Sequence, residues 1–290
     1  MDQNTLSQLL GSEIEDADEE TFHIFCQALT TLDLGFIDSK TETLELTIGD
    51  RDLSITQSPG LLTANRQGGT TGSVVWKVAV SLAEWLSKDE NVLFEHGVLC
   101  KDSTILELGC GISGILPLTL APKIRRFVAT DQEYVFKLLN HNLASNSQSN
   151  GKSSHKKVGK KSTKIEPRST IDNISVLALD WERDLAGSLS LYLPCRESVD
   201  LVIACDCIYN EALVQPFVNT CTEICQLRHQ DASDHPTVCL VAQQLRSDGV
   251  FSAWLTAFME AFQVWRMPDD ICGNSLSPVQ GFVVHLGILK

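Results

Sequence analysis

The run Thr-Ile-Leu-Glu-Leu-Gly-Cys-Gly-Ile-Ser-Gly occupies residues 104–114. Its first half is apolar and predicts a short buried strand over 105–108. Glycines follow at positions 109, 111 and 114, and the next residues, Ile-Leu-Pro-Leu-Thr-Leu, can enter a helix. Because glycines at such a turn let backbone N–H groups approach a ligand closely, the run predicts a nucleotide-like cofactor. The Gly-x-Gly-x-x-Gly spacing alone does not say which cofactor it is.

Strand and helix patterns alternate from residue 103 to the end of the chain. Five strands are predicted, over residues 105–108, 126–131, 176–181, 199–205 and 238–242. Helices are predicted between or after them, over residues 114–121, 133–145, 211–228 and 248–262. Two closing strands without a helix between them, 263–267 and 281–289, predict an antiparallel pair at one edge. The order predicts an α/β fold: a doubly wound, Rossmann-like, mostly parallel seven-stranded sheet with helices on both faces.

The residues before the alternating region predict an N-terminal extension, residues 1–66, that is partly helical and then forms a β-hairpin over 43–57. The main domain is predicted over 67–290, and its first amphipathic helix over 74–86. Residues 147–170 contain six Lys, one Arg and one Glu among small polar residues. This composition predicts a flexible basic insertion within the main domain.

Composition narrows the class of protein and its partners. The chain has 290 residues and a net charge of −14, which argues against DNA binding and suits a basic protein partner. No apolar run approaches the ~20 residues of a membrane helix. Ten cysteines, mostly inside apolar segments and without a Cys-x-x-Cys pair, indicate buried free thiols and no metal site. We therefore expect a cytoplasmic or also nuclear monomer that binds no membrane.

In a doubly wound sheet, ligands lie beyond the carboxyl ends of the strands. The first strand ends in Glu107 and leads into Gly109 and Gly111. The second ends in Asp131, twenty residues after Gly111. An acid at that position can accept hydrogen bonds from both ribose hydroxyls of a nucleoside cofactor. It can also cap the following helix, and both roles are compatible.

The ends of the third and fourth strands supply further candidates. Asp180 and Trp181 close the third strand, where the indole can cover an adenine face or pack in the core. Beyond the fourth strand come Asp206 and Tyr209, an acid and a phenol three residues apart. They either project at the mouth of the pocket or form a solvated loop acid and a packed tyrosine.

Two cofactors are compatible with these residues: a nicotinamide dinucleotide and S-adenosylmethionine. About 100 residues precede the glycine strand, which is unusual for a dinucleotide domain. No Tyr-x-x-x-Lys pair follows. Glu107 beside the glycine turn can face a positive charge, which suits the amino group of a methionine moiety. The residues therefore favour S-adenosylmethionine.

Four motifs together resemble the seven-β-strand (class I) methyltransferases of family 16, which include many protein-lysine methyltransferases. They are Glu-x-Gly-x-Gly at 107–111, Gly72-x-x-x-Trp76, Leu179-Asp-Trp181 and Asp206-x-x-Tyr209. The resemblance covers about residues 70–290 and is strongest to fungal ribosomal lysine methyltransferases. It implies that the cofactor site is lined by Trp76, Gly109, Cys110, Gly111, Asp131, Asp180, Trp181, Ala204 and Cys205. It also implies that Asp206 and Tyr209 face the substrate amine.

The resemblance implies methylation of a lysine in a protein, and a basic ribosomal protein fits the acidic chain. Two alternatives stay open at this point. A small-molecule N-methyltransferase acting on a nicotinamide-like amine would share the sheet and the cofactor site but would need a closed pocket. A catalytically silent adaptor would keep the fold without needing the glycines or the Asp-x-x-Tyr motif, all of which are present.

Overall fold

The structure is a computed structural model. It describes residues 8–26, 35–38, 40–62, 70–147, 172–184, 198–229 and 235–290. Its strands are β1 (Thr43–Ile48), β2 (Arg51–Thr56), β3 (Thr104–Leu108), β4 (Arg126–Asp131), β5 (Ile174–Ala178), β6 (Leu201–Cys205), β7 (Val238–Gln244), β8 (Phe262–Arg266) and β9 (Phe282–Leu289). Its longer helices are α1 (Ala17–Phe25), α2 (Lys77–Ser87), α3 (Ile115–Leu120), α4 (Phe136–Asn146), α5 (Val214–His229) and α6 (Asp248–Ala261).

Seven of the strands form one sheet in the order β5-β4-β3-β6-β7-β9-β8. Strands β3 to β7 run parallel to one another. Strand β9 lies between β7 and β8 and is antiparallel to both. The predicted doubly wound sheet with an antiparallel edge pair is confirmed. The direction in which successive strands are added to the sheet reverses at β3. Strands β4 and β5 lie on one side of it, and β6 and β7 lie on the other. Ligand sites form at the carboxyl ends of strands at such a point.

Helices cover both faces of the sheet because its buried strands are apolar on both sides. Neighbouring residues of β3 show this, since Ile105 and Leu106 belong to separate cores on opposite faces. Helices α2, α3 and α4 contribute to the core that holds Ile105. Helices α1, α5 and α6 contribute to the core that holds Leu106. Each core therefore holds one layer of helices against one face of the sheet.

The predicted hairpin over 43–57 is present as β1 and β2. Two asparagines of α4 bind the hairpin to the layer of helices on one face of the seven-stranded sheet. Asn142 accepts a hydrogen bond from the Thr56 N–H at 2.9 Å and donates one to the Thr56 carbonyl at 2.8 Å. Asn146 accepts one from the Ser54 N–H at 2.8 Å. The division into an extension, 1–66, and a main domain stays a prediction.

Three predicted boundaries were wrong. The helix predicted over 74–86 begins at Lys77, because Trp76 is extended and forms a β-bridge with Phe36. The helix predicted over 133–145 begins at Phe136, after a 3₁₀ turn at Glu133–Val135. The third strand ends at Ala178, which leaves Asp180 and Trp181 in the turn that follows.

The described part of the chain contains no helix that is both long and apolar enough to cross a membrane. The cysteines it covers are free thiols, six of them buried, as predicted: Cys110, Cys207, Cys221, Cys225, Cys239 and Cys272. Apart from Ser147, the predicted basic insertion at 147–170 lies outside the described residues.

Candidate functional site

Strand β3 leads into a turn that depends on two glycines. Gly109 and Gly111 have φ angles of 65° and 59°, in the left-handed region that favours glycine. A Cβ atom on Gly109 would lie 2.8 Å from Sγ of Cys207, and one on Gly111 would lie 3.2 Å from the Gly72 carbonyl oxygen. The turn is therefore packed so closely that side chains are excluded at both positions. Gly114, by contrast, packs against Leu143 of α4, which is a helix-packing role.

Asp131 lies beside this turn, at the end of the neighbouring strand β4. Its Oδ2 accepts a hydrogen bond from the Gly111 N–H at 2.8 Å, and its Oδ1 accepts one from the Gln132 N–H at 2.7 Å. Burial raises the pKa of the Asp131 carboxyl above its usual range, and the two N–H groups partly offset this effect. Gln132, and not Asp131, takes the N-cap position of the 3₁₀ turn that follows. The Asp131 side chain instead stabilises the glycine turn through its bond to the Gly111 N–H.

Glu107 is the second carboxyl at this edge and is only 4% exposed. Its Oε2 has no hydrogen-bond partner among the described residues. Burial, and then the nearby Asp131 carboxylate, raise the pKa of Glu107 to about 8. At neutral pH this carboxyl therefore holds its proton, and a cation bound beside it would favour release of that proton.

Trp181 reaches the glycine turn from the loop after β5. Its ring lies 3.4 Å from the position of a Cβ on Gly109 and packs edge-on against Phe217 at 5.4 Å. Asp180 instead turns away along its own loop, where its Oδ1 accepts a hydrogen bond from the Glu182 N–H at 3.1 Å. The structure thus brings Trp181 to the turn and uses the Asp180 side chain within the loop.

The end of β6 supplies the other wall. Ala204 is buried and stands opposite Leu108 in the register of β3 and β6. Burial raises the pKa of the Cys205 thiol and of the Cys110 thiol well above their usual range, so both stay neutral. These residues lie with Glu107, Gly109, Gly111, Asp131 and Trp181 at the carboxyl edge of the sheet, and we name this region the cofactor cleft.

Asp206 follows β6 and is held by an arginine that the sequence analysis did not select. Arg246 donates to Oδ1 at 2.7 Å and to Oδ2 at 2.5 Å, and the Asp206 side chain is 3% exposed. The backbone of Asp206 has a φ of 56°, which is rare for a residue other than glycine, and its N–H donates to the Ala242 carbonyl at 2.8 Å. The ion pair and this bond fasten the loop after β6 to β7.

Trp76 belongs to the same group of contacts. The Arg246 guanidinium lies 5.2 Å from the centre of its ring, and the Phe36 ring lies 5.0 Å away. The indole Nε1 donates to the Thr71 carbonyl at 3.0 Å. These contacts place Trp76, expected at the cofactor, beside Arg246.

Tyr209 is 44% exposed, and its hydroxyl accepts a hydrogen bond from Thr71 at 3.3 Å. We name the cluster of Thr71, Trp76, Asp206, Tyr209 and Arg246 the acceptor group. Thr71 and Gly72 connect it to the cofactor cleft, because the Gly72 carbonyl accepts the Ile112 N–H at 3.0 Å and Gly72 packs against Gly111.

Arg246, Thr71 and Cys207 were missed as site residues. Arg246 follows β7, whose carboxyl end lies at the same edge as those of β3 to β6. Considering every parallel strand end, and not only the first four, would have selected it. Thr71 had a weaker indication, since it adjoins the Gly72-x-x-x-Trp76 motif.

The cofactor cleft fits S-adenosylmethionine on three observations. Glu107 presents an unpaired buried carboxyl oxygen to a positively charged group. Asp131 lies where a ribose could bind, and the glycines leave no side chain between the backbone and a ligand.

Comparison with known proteins points in the same direction. A family model described as lysine methyltransferase matches residues 55–251. Two yeast proteins named ribosomal lysine N-methyltransferase 5 are similar. The one from Zygosaccharomyces rouxii is 29% identical over 221 residues, covering 68% of this chain and 66% of that protein. The one from Vanderwaltozyma polyspora is 30% identical over 239 residues, covering 71% of this chain and 72% of that protein.

A third relative carries a different name. A diaminohydroxyphosphoribosylamino-pyrimidine deaminase of Schizosaccharomyces pombe is 29% identical over 255 residues, which cover 87% of this chain. The match covers 53% of that protein, so the chain spans about half of its length.

Proposed function

We propose that this chain, which belongs to the lysine methyltransferase family, transfers a methyl group from S-adenosylmethionine to a lysine side chain of a ribosomal protein. Two similar yeast proteins are named for this activity. The net charge of −14 supports a basic protein as the partner, since long-range attraction favours their encounter. A cytoplasmic location is part of the proposal. The monomeric state and the lack of DNA binding stay predictions.

One observation carries the proposal: the Thr71-Gly72 segment joins the glycine turn of the cofactor cleft to an exposed tyrosine. Gly72 packs on Gly111 of the cofactor cleft, while the Thr71 hydroxyl reaches Tyr209. A donor held in the cleft and an amine arriving past Tyr209 would therefore meet at this segment. Such alignment supplies much of the acceleration in a two-substrate reaction.

Residues of the cofactor cleft would hold the donor by complementary chemistry. Asp131 would accept hydrogen bonds from the ribose hydroxyls, and Glu107 would face a positive charge. Trp181, Ala204 and Cys205 would supply apolar surface for the adenine. When bound, S-adenosylmethionine supplies a methyl group on a cationic sulfur, and the carbon–sulfur bond breaks, leaving its electron pair on sulfur, as the nitrogen–carbon bond forms.

The acceptor group would prepare the lysine amine. Lysine has an ordinary pKa of about 10.4, so it must lose a proton to solvent before its lone pair can attack. Loss of water around the amine, beside the cationic sulfur of the donor, would favour the neutral amine. Because Arg246 occupies both oxygens of Asp206, we assign Asp206 a positioning role and not that of a general base. Tyr209, exposed at the mouth, would contact the amine through its hydroxyl.

The name of the fission-yeast relative belongs to a protein about half of which this chain does not match. No group of three or more metal-ligating side chains occurs in the described part of the chain. The proposal therefore rests on the family match and on the cleft.

The test is incubation of the purified chain with S-adenosylmethionine carrying a labelled methyl group and ribosomes from cells lacking the gene. Label in one ribosomal protein, absent with a Gly109→Ala variant, is the expected result. Label confined to small molecules would favour the nicotinamide-like alternative and overturn the proposal. No label in any fraction, with intact cofactor binding, would favour the adaptor.

A further inference from the structure

Residues 35–38 form a short segment that pairs with the chain around Trp76, and we name this segment the N-terminal strap. Phe36 forms an antiparallel β-bridge with Trp76, and backbone hydrogen bonds of 2.8 and 3.2 Å flank the bridge. The buried Gln57 side chain joins the two sides. Its Nε2 donates to a carbonyl of the strap at 2.6 Å, and its Oε1 accepts the Val75 N–H at 3.0 Å. The strap is therefore fixed by backbone and side-chain bonds.

The strap packs directly against the acceptor group. The Phe36 ring lies 5.0 Å from the Trp76 ring. Gly35 has a φ of 85°, and a Cβ atom on it would overlap Oε1 of Gln244 and lie 2.9 Å from Nη2 of Arg246. That same Oε1 accepts a hydrogen bond from Arg246 at 3.1 Å. Because Gly35 has no side chain, the strap backbone can close on the residues that hold the guanidinium.

Both side chains that the strap contacts lead to Tyr209. Trp76 donates to the Thr71 carbonyl at 3.0 Å, and the Thr71 hydroxyl lies 3.3 Å from the Tyr209 hydroxyl. Arg246 binds both oxygens of Asp206, which lies three residues before Tyr209. A displacement of the strap would therefore reach the proposed amine site through two routes.

The strap differs from the cofactor cleft in its place in the chain and in the fold. The cofactor cleft is built on the carboxyl ends of β3 to β6, whereas the strap packs on Trp76 and on residues at the end of β7. The strap also precedes residues 55–251, which the lysine methyltransferase model matches. A contribution from the strap is therefore not a feature on which the family match depends.

We propose that the N-terminal strap is a positioning element for the methyl acceptor, in which Phe36 holds the Trp76 ring and Gly35 lets the backbone close on Arg246. The inference rests on the proposed function and gives residues outside the family match a part in it. Misplacement of a reacting group lowers the rate steeply. Loosening the strap should therefore slow methyl transfer without weakening donor binding.

The first test is Phe36→Ala in the full chain, which removes the ring beside Trp76. With the unmethylated ribosomal protein that wild type labels, we expect kcat to fall about tenfold. The affinity for S-adenosylmethionine, measured by calorimetry, should stay within about twofold of wild type, because the cofactor cleft keeps its residues. Phe36→Tyr keeps the ring and should recover most of the wild-type kcat.

Phe94→Ala is the matched control for the lost ring. Phe94 is also half-buried and lies beside a cation, since Nζ of Lys123 is 5.8 Å from the centre of its ring. These two residues precede β3 and β4, so they lie toward the amino ends of the strands. We expect Phe94→Ala to keep the wild-type kcat at a temperature where both variants are folded.

Gly35→Ala tests the other contact and covers the case in which Phe36→Ala fails to fold. Gly11→Ala is its control, because Gly11 has a φ of 87° and a Cβ there would meet no atom within 4 Å. The two variants carry similar backbone strain, but only Gly35→Ala displaces Gln244 from Arg246. We expect kcat to fall about tenfold for Gly35→Ala and to stay unchanged for Gly11→Ala.

Wild-type kcat in both Phe36→Ala and Gly35→Ala, with label still entering protein, overturns the positioning role alone. So does a loss of cofactor affinity as large as the loss of kcat, or an equal loss of kcat in Phe94→Ala, because the strap would then act through the stability of the whole fold. Wild type that labels no protein overturns the proposed function and the positioning role with it.

Discussion

Arg246 binds both carboxylate oxygens of Asp206, at 2.7 and 2.5 Å, across 40 residues of sequence. The pair joins the loop after β6 to the loop after β7 and places a guanidinium over the Trp76 ring. Arg246 thereby occupies both carboxylate oxygens of Asp206 and balances its negative charge. In the function proposed above, its contribution would be to hold Tyr209 and Arg246 in place.

Asp206→Asn should lower the free energy of unfolding by about 3 kcal/mol, because it leaves the guanidinium of Arg246 without its buried counter-charge. Turnover should fall about 10–100-fold through misplacement of the acceptor group. Cofactor affinity, measured by calorimetry, should stay within about twofold of wild type, since such effects are local.

Asp200→Asn is the matched control for this prediction. Asp200 precedes the opposite end of β6 and pairs with Arg228 at 2.8 Å. The control should also lower stability, measured by denaturant unfolding, but kcat at a temperature where both variants are folded should match wild type. Equal losses of kcat in the two variants would mean that Asp206 acts through stability alone.

Glu107 should make the stability of the ligand-free protein fall with rising pH. Its pKa is raised from 4.5 to about 8 in the folded state. Between these values the unfolded chain has released a proton that the folded protein retains, so folding becomes less favourable as pH increases. Glu107→Gln removes this proton exchange, and its stability relative to wild type should grow from pH 5 to pH 8.

Thermal unfolding of the two proteins across that pH range gives the comparison. Glu84→Gln, at an exposed position of α2, should leave the pH dependence of wild type unchanged. Glu107→Gln should also bind S-adenosylmethionine more weakly, because an amide cannot release a proton to form the carboxylate that pairs with a bound cation. Parallel stability curves for Glu107→Gln and wild type would contradict the assignment of a buried proton.

Gly109→Ala should abolish tight cofactor binding without unfolding the sheet. The left-handed backbone alone costs a residue with a Cβ about 1–2 kcal/mol, so the loss of affinity should be at least about tenfold before the clash is counted. The added methyl would also lie 2.8 Å from Sγ of Cys207 and 3.4 Å from the Trp181 ring. Gly249→Ala is the control, since its Cβ would meet no atom within 4 Å and lies in helix α6. That variant should bind S-adenosylmethionine like wild type in calorimetry.

Tyr209→Phe should lower kcat/KM by about 2–10-fold, the usual effect of one neutral hydrogen bond. Cofactor affinity should not change, because Tyr209 lies in the acceptor group. Adding Thr71→Val should cause no further loss if the bond between the two hydroxyls is the interaction that matters. Fully additive losses in steady-state kinetics would show that the two residues act separately.

The sheet and the cofactor cleft follow from local patterns. The glycine turn predicts its own backbone, and Asp131 meets it because the carboxyl ends of neighbouring parallel strands lie at the same edge. Trp181 was placed in a strand because its neighbours are apolar. The strand ends earlier, since the Asp184 N–H bonds to the Asp180 carbonyl, which closes a turn.

Only the local part of the acceptor group could be predicted from the sequence. Asp206 and Tyr209 form a compact motif, but the partner of Asp206 depends on β7 pairing with β6, which no local pattern specifies. Trp76 likewise takes its position from Phe36, 40 residues earlier in the chain, and from Arg246 far beyond it.

The most direct test of the central claim is mass spectrometry of the ribosomal proteins after incubation with the purified chain and S-adenosylmethionine. The ribosomes come from cells lacking the gene, and Gly109→Ala serves as the inactive control. We predict a methyl group on the ε-amine of a lysine in one ribosomal protein with wild type and not with the variant. Methylation found only on small molecules, or on protein atoms other than a lysine nitrogen, would contradict the account.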